Sequence, residues 1–282
     1  MILTEQQLHT IPVFGIAGNF AEHLAQAGEA SDFVNVQTAD ERAPKGMFPI
    51  YIPHHASFLG VYPLSHDTIQ ADFSVAPKVQ VEPEICVLFS VEYAENQQVC
   101  GLNARAFAAF NDCSNRFNAA KISQKKNWGV NSTGVSNQWI DIDQFAAGGV
   151  LDSYHLCSFL KRDGRVFEYG IDSPAVGYSY FYRQLTDWMI DTFNRQTDFG
   201  PLEDLTRLLA QADYPTQVIV TLGATRYTEF GENGYLQPDD QIGIFVYDAN
   251  QTSKPQIETA FSENAAFNRF AGSALLQHVV KG

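Results

Sequence analysis

Residues 81–91 read VEPEICVLFSV, with two glutamates directly before a nearly continuous apolar run. Residues 84–91 are rich in β-branched and aromatic side chains, which predicts a strand. Side chains two positions apart on a strand point to the same face, so Glu82 and Glu84 are expected to lie side by side. Such a pair is often a solvated strand end, but a bound cation would also offset the repulsion between the two carboxylates.

A second apolar stretch, residues 99–111 (VCGLNARAFAAFN), predicts another strand and is followed at once by Asp112. Asp112 is compatible with a turn or a helix cap, because aspartate favours both. If the two strands are neighbours, Asp112 instead supplies a third carboxylate beside Glu82 and Glu84. Oxygen ligands suit Mg²⁺, Mn²⁺ or Ca²⁺ better than zinc, and three carboxylates leave positions open for water and substrate.

The remaining pattern is that of an α+β protein dominated by strands. The chain has 20 Gly, 12 Pro, 21 Phe and 12 Tyr, which favours strands and turns over a helical bundle. Further strands are predicted at residues 11–17, 217–222 and 241–247, and a hairpin at 154–160 and 165–169 around the turn Asp163-Gly164. Helices are predicted at residues 20–27, 178–194 and 201–212 and, as a docking helix, at 274–280.

Bulk composition limits the partners and the setting. The 282 residues carry a net charge of -14 at pH 7, so phosphate backbones and anionic membranes would be repelled. The four cysteines form no C-x-x-C pair, so reduced thiols are expected rather than a zinc site. No signal peptide is visible and no apolar window approaches the ~18 residues of a membrane span. We therefore expect a cytoplasmic protein without nucleic-acid or membrane partners.

Two further side chains are candidates for chemistry. A lone lysine such as Lys126 is normally a surface charge, but beside a metal it could hold a substrate carboxylate or stabilise a developing oxyanion. A histidine such as His23, on a short helix after a glycine break, is more often structural or exposed than catalytic. Its intrinsic pKa nevertheless suits a general base near neutral pH.

The order of these features resembles the fumarylacetoacetate hydrolase-like family over roughly residues 11–248. Four segments carry the resemblance: FGIAGNFAEHLAQA at residues 14–27, VEPEICVL at 81–88, FNDCSNR at 110–116 and KNWG at 126–129. The first looks like that family's strand, glycine, Asn-Tyr and helical His segment, and the second like its Glu-x-Glu strand. The third looks like its Asn-Asp segment and the fourth like its Lys-Ser-Phe-Asp segment. The shared order and spacing weigh more than any single match.

The resemblance implies a particular fold and assembly. The fold would be a mixed, mostly β roll around a central cavity, of the type found in that family's C-terminal domain, with a short N-terminal lid. Residues 1–70 would hold the first strand, the lid and an irregular, proline-punctuated connection at 44–63, and residues 71–282 the β-roll with the metal site. Members of the family commonly pair as homodimers, so a homodimer is expected here.

The resemblance also implies the residues of the site. The implied metal ligands are Glu82, Glu84 and Asp112, for Mg²⁺ or Mn²⁺; the implied catalytic residues are His23 and Lys126; the implied substrate contacts are Asn111 and Thr221. Family members commonly act on small 2-oxo or 1,3-dicarbonyl acids by C–C hydrolysis, decarboxylation, hydration or keto–enol conversion, with the metal stabilising an enolate-like charge. The expected function is therefore that of a metal-dependent hydrolase or lyase.

Departures from the family pattern bear on which reaction is expected. The family's lid carries a His–Glu pair, but the residue three positions after His23 is Gln26, which cannot support an imidazolium as a carboxylate does. Neither Glu22 nor Glu29 has the matching position. The family's Leu-Thr-Gly-Thr-Pro strand end reads TLGAT at residues 221–225, its lysine-bearing Phe-Leu-Lys-Pro segment reads YIP at 51–53, and Gly129 replaces a carboxylate.

Gln26 argues against C–C hydrolysis more strongly than against decarboxylation or tautomerisation, which need no activated water. The altered turn at residues 221–225 favours the alternative, a non-catalytic small-molecule-binding protein on the same fold, because a pocket can outlast its chemistry.

Overall fold

The computed structural model describes residues 3–20, 23–36, 38, 40–267 and 270–282, with Leu24 and Ala30 described by their backbone alone. In these residues the strands are β1 Val13–Ala17, β2 Gly46–Tyr51, β3 Leu64–Ser65, β4 Thr68–Ala71, β5 Val79–Gln80, β6 Pro83–Tyr93, β7 Val99–Asn111, β8 Ser114–Asn115, β9 Thr133–Val135, β10 Ile140–Asp141, β11 Tyr154–Arg162, β12 Arg165–Pro174, β13 Gln217–Thr221, β14 Gln241–Asp248 and β15 Gly272–Lys281. The α-helices are α1 Glu5–Leu8, α2 His23–Gln26, α3 Ile122–Lys126, α4 Tyr182–Arg195, α5 Leu205–Gln211, α6 Glu229–Asn233 and α7 Lys254–Ser262. Short 3₁₀ helices cover Ala30–Phe33, Phe58–Gly60, Val150–Ser153 and Ala175–Gly177.

Two large sheets and one small sheet organise these strands. The first sheet has the order β2-β1-β13-β6-β7-β9-β3, with β10 also paired to β7. The second has the order β12-β11-β14-β15-β4, and β5 pairs with β8. Because β1 runs parallel to β13 and β6 antiparallel to it, the first sheet is mixed. The expected mostly β, mixed α+β fold is confirmed.

The pair β6–β7 forms the centre of the molecule. Ile85, Val87 and Phe89 on one face of β6 join a cluster that also takes in the second sheet and α4. Cys86 and Leu88 on the other face join a separate cluster with β1 and β2. Since both faces of β6 are buried, its sequence reads as a nearly continuous apolar run rather than an alternating one.

The predicted strands and hairpin agree with the structure to within a few residues. The strand predicted at residues 99–111 is β7, Val99–Asn111, and the Asp163-Gly164 turn joins β11 to β12. The helix predicted at residues 178–194 is α4, which buries Leu185, Met189 and Phe193. The helix predicted at residues 20–27 is α2, His23–Gln26, and residues 21 and 22 of that prediction lie outside the described part of the chain.

The docking helix predicted at residues 274–280 is wrong, because this segment is strand β15 between β14 and β4. Its burial alternates with a period of two: Ser273, Leu275, Gln277 and Val279 face inward, whereas Leu276 is exposed. The segment is apolar, but its buried positions recur every two residues, which is the period of a strand and not of a helix.

Residues 44–63 contain a strand that the prolines concealed. Strand β2, Gly46–Tyr51, pairs with β1 at the edge of the first sheet, and Pro49 lies opposite Phe14. An edge strand tolerates a proline because one side of its backbone needs no partner. Strands β1 and β2 thus share a sheet with β6 and β7, which carry the carboxylates. None of the helices in the described residues combines the length and apolar character needed to cross a bilayer.

Candidate metal centre

The pairing of β6 with β7 brings the three predicted carboxylates together. In this antiparallel ladder Pro83 lies opposite Asn111 and Glu84 opposite Phe110, so Glu82 and Asp112 lie opposite each other just beyond it. The Asp112 amide donates to the Glu82 carbonyl at 3.0 Å, which continues the ladder by one step. Each carboxylate offers an oxygen atom within 4.8 Å of those of the other two.

All three carboxylates are buried, with exposed fractions of 3% for Glu82, 2% for Glu84 and 0% for Asp112. Burial, followed by the charge of Asp112, raises the pKa of Glu84 well above its ordinary range. Burial also raises the pKa of Asp112 to about 6, although Lys126 opposes the shift. Both carboxylates therefore lack sufficient compensating charge within the protein.

Lys126, the last residue of α3, lies between two of the carboxylates. Its Nζ is 2.5 Å from Oε2 of Glu82 and 2.7 Å from Oδ2 of Asp112, and its side chain is 2% exposed. Burial alone would lower the pKa of Lys126, but Asp112 and Glu82 raise it above its ordinary value. The ammonium group is therefore charged at neutral pH and orients both carboxylates.

Arg116 is a second buried cation that sequence reasoning did not single out. Its guanidinium donates to Oε1 of Glu82, to Oε1 of Glu29 at 2.7 Å, to Gln80 at 2.7 Å and to the Tyr227 hydroxyl at 3.1 Å. Burial alone would raise the pKa of Glu82, but Lys126 and Arg116 lower it below its ordinary range. The sequence offers only a general indication of this residue. A buried carboxylate pair requires cations nearby, and Arg116 is the last residue of the segment FNDCSNR.

A divalent cation fits this group of residues. Oδ1 of Asp112 is buried and accepts no hydrogen bond within the described structure. The carboxylates of the cluster outnumber its cations by two if all are ionised; the carboxylates are Glu29, Asp32, Glu82, Glu84 and Asp112, and the cations are Arg116, Lys125 and Lys126. An all-oxygen donor set with this excess charge suits Mg²⁺ or Mn²⁺.

His23 lies beside the cluster in a defined tautomer. Its Nδ1 is 2.9 Å from the carbonyl oxygen of Thr225, an acceptor, so Nδ1 carries the hydrogen. Its Nε2 therefore has the free lone pair and lies 4.0 Å from Oε2 of Glu82. Burial lowers the pKa of His23, with Glu82 opposing the shift, so the ring is neutral at neutral pH and Nε2 can accept a proton.

Gln26 performs a structural task rather than supporting His23. Its Oε1 accepts a hydrogen bond from the Tyr227 amide at 2.9 Å, and its Nε2 donates to the Tyr227 carbonyl at 3.3 Å. Of the two glutamates considered as substitutes, Glu22 lies outside the described residues. Glu29 is bound by Arg116 and Lys125. The imidazole of His23 is thus oriented by the backbone carbonyl of Thr225, whereas the fumarylacetoacetate hydrolase-like family has a carboxylate for this purpose.

The turn after β13, whose sequence differs from the family pattern, contacts the site through Gly223. Gly223 has φ +105°, and its amide donates to Oε2 of Glu84 at 2.8 Å. The Tyr178 hydroxyl donates to the Gly223 carbonyl at 2.9 Å, which holds the turn in place. A side chain at this position would be strained, because the left-handed region favours glycine. Gly223 therefore gives the chain a sharp bend just after β13.

Asn111 and Thr221 are buried next to the site but do not line the cavity. The Asn111 amide group accepts from the Glu82 backbone at 3.2 Å and donates to Gln277 at 2.8 Å, so it ties β7 to β15. Thr221 ends β13 opposite Cys86. Its buried hydroxyl lies beside Glu84 and opposes the rise in the pKa of that carboxylate. The role of these two residues in binding substrate stays a prediction.

A small cavity adjoins the carboxylates. The cavity has a volume of about 20 Å³, which is enough for one ion or one water molecule. Four large apolar side chains line it together with the carboxylates: Ile16, Phe20, Phe48 and Ile122. His23 and Glu29 complete it from the side of α2 and the following turn. Admission of a substrate therefore requires this side to move.

Solved structures share this fold. Cg1458 in complex with an inhibitor is 17% identical at a TM-score of 0.55, covering 96% of this chain and 77% of that chain. 2-Keto-3-deoxy-D-arabinonate dehydratase, complexed with magnesium and 2,5-dioxopentanoate, is 15% identical at 0.54, covering 99% and 82%. A fumarylacetoacetate hydrolase family protein from Yersinia pestis CO92 is 13% identical at 0.51, covering 96% and 94%. Identities this low establish the fold alone.

The molecule is therefore a protein of the fumarylacetoacetate hydrolase fold with a buried carboxylate cluster at the ends of two central strands of its main sheet. By sequence it belongs to the family described as "Family of unknown function (DUF5718)", whose model matches residues 29–279. No curated protein matches the sequence.

Proposed function

We propose that this protein is a Mg²⁺- or Mn²⁺-dependent enzyme that converts a small 2-oxo or 1,3-dicarbonyl acid through an enolate. The observation that carries the proposal is the composition of the buried cluster. If all its carboxylates are ionised it holds two negative charges in excess, and this excess, together with the unpartnered Asp112 oxygen, is costly in a protein interior unless a cation is bound. The magnesium and 2,5-dioxopentanoate bound to the dehydratase of the same fold support this choice of ligands.

Glu82, Glu84 and Asp112 would hold the metal, which would supply Lewis-acid stabilisation of the enolate's negative charge. The protein's own residues fix the geometry. Lys126 and Arg116 keep Glu82 ionised, and the Gly223 amide fixes the orientation of Glu84. Such fixed charges and dipoles need no rearrangement as the reaction proceeds.

His23 would be the proton acceptor of the reaction. Its Nε2 lone pair faces the cluster, and its neutral state at pH 7 leaves that lone pair free. Because Gln26 is committed to Tyr227, no carboxylate at that position supports the imidazolium once it forms. This favours tautomerisation, in which the proton taken by His23 is returned to the substrate, and decarboxylation, in which CO₂ leaves and the enolate takes up a proton from solvent, over C–C hydrolysis, which needs an activated water molecule.

The test of the metal site is thermal unfolding with and without Mg²⁺ or Mn²⁺, followed by addition of oxalate. A ligand that binds only the folded state raises the midpoint temperature of unfolding. At a concentration of 100 Kd it adds about 2.7 kcal/mol to the free energy of unfolding. We expect the wild type to shift with metal and further with oxalate, and Glu84→Gln and Asp112→Asn to show no metal shift. Glu95→Gln, on an exposed turn, is the matched control.

Glu82 is not a suitable variant for this test, because its removal would leave Lys126 and Arg116 buried without their shared partner. Unchanged metal shifts in Glu84→Gln and Asp112→Asn would contradict the assigned ligands. If the wild type itself shows no shift, a non-catalytic binding protein becomes the better description. The narrow cavity is the observation that favours that second candidate.

We further propose that the protein works in the cytoplasm as a homodimer. The dimer is testable by light scattering on the purified protein, where a mass of a single 31.4 kDa chain would contradict it.

A further inference from the structure

The cavity beside the carboxylate cluster has one wall of a distinct chemical character. This wall consists of Ile16, Phe20, Phe48 and Ile122, which line the same cavity as the carboxylates. Three of the four side chains are fully buried, whereas Phe20 is half-buried and packs edge-on against Tyr178 at 5.6 Å between ring centroids. Once the side of His23 and Glu29 has moved to admit a substrate whose oxo-acid end binds at the carboxylate cluster, the rest of that substrate would lie among these side chains.

The cations near the cavity are already paired. Among the described residues that line it, the cation is Lys126, which contacts Glu82 and Asp112. Arg116 lies behind Glu82 and donates to four different acceptors. Lys125 is bound to Glu29 and Asp32.

Asn19, a neutral polar residue that also lines the cavity, has no hydrogen-bonding group of its amide left for a substrate. Asn19 donates both amide hydrogens, to the Tyr180 and Leu222 carbonyls at 3.1 and 3.0 Å, and its Oδ1 accepts from the Tyr180 amide at 2.8 Å. The remaining charged group on the lid side, Glu29, is an anion that lines the cavity. A second carboxylate on the substrate would therefore meet apolar surface and negative charge.

We propose that this site selects monocarboxylic 2-oxo acids with a short apolar substituent and rejects dicarboxylic ones. The inference rests on the proposed function, since it assumes that the oxo-acid end binds at the metal. Of the two favoured reactions it fits tautomerisation, because a 2-oxo acid loses CO₂ through an enolate only if it carries a second carboxylate. Burying a carboxylate without a cation or hydrogen-bond donors is strongly unfavourable, whereas a methyl or ethyl group gains from contact with Phe48 and Ile122. Phe20, at the open side of the wall, is the residue that sets this selectivity.

The test compares acids of equal carbon number that differ in their distal group. In calorimetric titrations at saturating Mg²⁺ or Mn²⁺, 2-oxopentanoate is matched with 2-oxoglutarate, and 2-oxobutanoate with oxaloacetate. We expect each monocarboxylate to bind at least about tenfold more tightly than its dicarboxylic partner. Equal or tighter binding of the dicarboxylates would overturn the selectivity. If metal binds but none of the four acids does, the proposed oxo-acid function fails and the selectivity fails with it.

Phe20→Arg provides an independent test, because it places a cation at the half-buried edge of the wall. We expect the affinity for 2-oxoglutarate to rise at least about tenfold, with that for 2-oxopentanoate reduced or unchanged. Phe20→Leu keeps an apolar side chain and is the matched control, in which the preference for the monocarboxylate should remain. A Phe20→Arg protein that retains its metal shift but shows no gain for 2-oxoglutarate would contradict the role given to Phe20.

Discussion

Four residues of the candidate metal centre have separable roles. Glu84 and Asp112 are under-compensated carboxylates, whereas Glu82 is held by two cations. His23 contacts a backbone carbonyl on one side and faces the cluster on the other. The three carboxylates would hold a metal, and His23 would act on the substrate.

We expect His23→Ala to retain metal-dependent stabilisation and to lose turnover by about 100-fold or more, because general-base catalysis contributes on that order. Asp112→Ala should lose both. The measurement is a metal titration by calorimetry alongside an activity assay on a 2-oxo acid. Loss of metal binding in His23→Ala would show that the imidazole belongs to the ligand set instead.

At the scale of elements, ion pairs fasten the segment that carries His23. Glu29 is 2.7 Å from Arg116 and 3.4 Å from Lys125, and Asp32 is 2.7 Å from Lys125. The side chains of Arg116 and Glu29 are 8% and 7% exposed, so this contact is poorly screened by solvent. Since Arg116 also holds Glu82, one guanidinium joins the lid side of the cavity to the carboxylate cluster.

We expect Glu29→Gln to loosen the segment from α2 to the following 3₁₀ helix, because Arg116 and Lys125 lose a buried partner. Hydrogen exchange measured by mass spectrometry should show amides in residues 23–36 exchanging at least about tenfold faster. Amides of β14 serve as an internal reference for global stability, and Glu95→Gln as the control variant. Unchanged protection in residues 23–36 would mean that packing alone holds the segment.

The element α3 depends on a buried carboxylate of its own. Ser123 donates to Oε1 of Glu203, and Lys121, the residue before α3, donates to the carbonyl of Leu202 at 2.7 Å. Burial raises the pKa of Glu203 to about 7, with the Ser123 hydrogen bond opposing the shift. The protonated form is thus favoured in the folded protein.

Because the folded-state pKa of Glu203 lies above its unfolded value of 4.5, this group stabilises the fold below pH 4.5, and the contribution is lost as pH rises through about 7. The difference is at most about 3 kcal/mol. We expect Glu203→Gln to remove this pH dependence, so that the variant gains stability relative to wild type between pH 5 and 7.5. The measurement is urea unfolding of both proteins across that pH range. A difference in unfolding free energy between them that stays constant with pH would contradict the raised pKa of Glu203.

At the scale of the whole molecule, the second sheet is completed by a strand that pairs with one neighbour close in sequence and one distant from it. Strand β15 lies between β14 and β4, and Leu275 on its inner face joins the cluster shared by both sheets. Gln277 on the same face accepts from Asn111, directly beside Asp112. The C-terminal strand therefore supports the strand end that carries the candidate site.

We expect Leu275→Ala to cost about 2–5 kcal/mol of unfolding free energy, because Leu275 is fully buried between the sheets. Its neighbour Leu276 is 40% exposed, so Leu276→Ala is the matched control and should change stability by less than about 1 kcal/mol. Denaturant unfolding with both variants measures the difference. Equal costs would contradict the alternation that distinguishes this strand from the predicted helix.

Local patterns in the sequence determined the strands β6 and β7 and the meeting of Glu82, Glu84 and Asp112. Strand periodicity and a strand pairing between near neighbours in sequence suffice for that, since only residues 82–112 are involved. The order of four short segments was enough to indicate the fold. The roles of these residues in metal binding and catalysis remain predictions.

Tertiary structure alone decided what surrounds the carboxylates. The contacts of Arg116 with Glu29, of His23 with the Thr225 carbonyl and of Gln26 with Tyr227 join residues 87, 202 and 201 positions apart. No local pattern encodes such pairs, because each depends on how several sheets and loops pack. The same holds for β15, whose apolar content suits a helix or a strand until its neighbours β14 and β4 supply backbone partners.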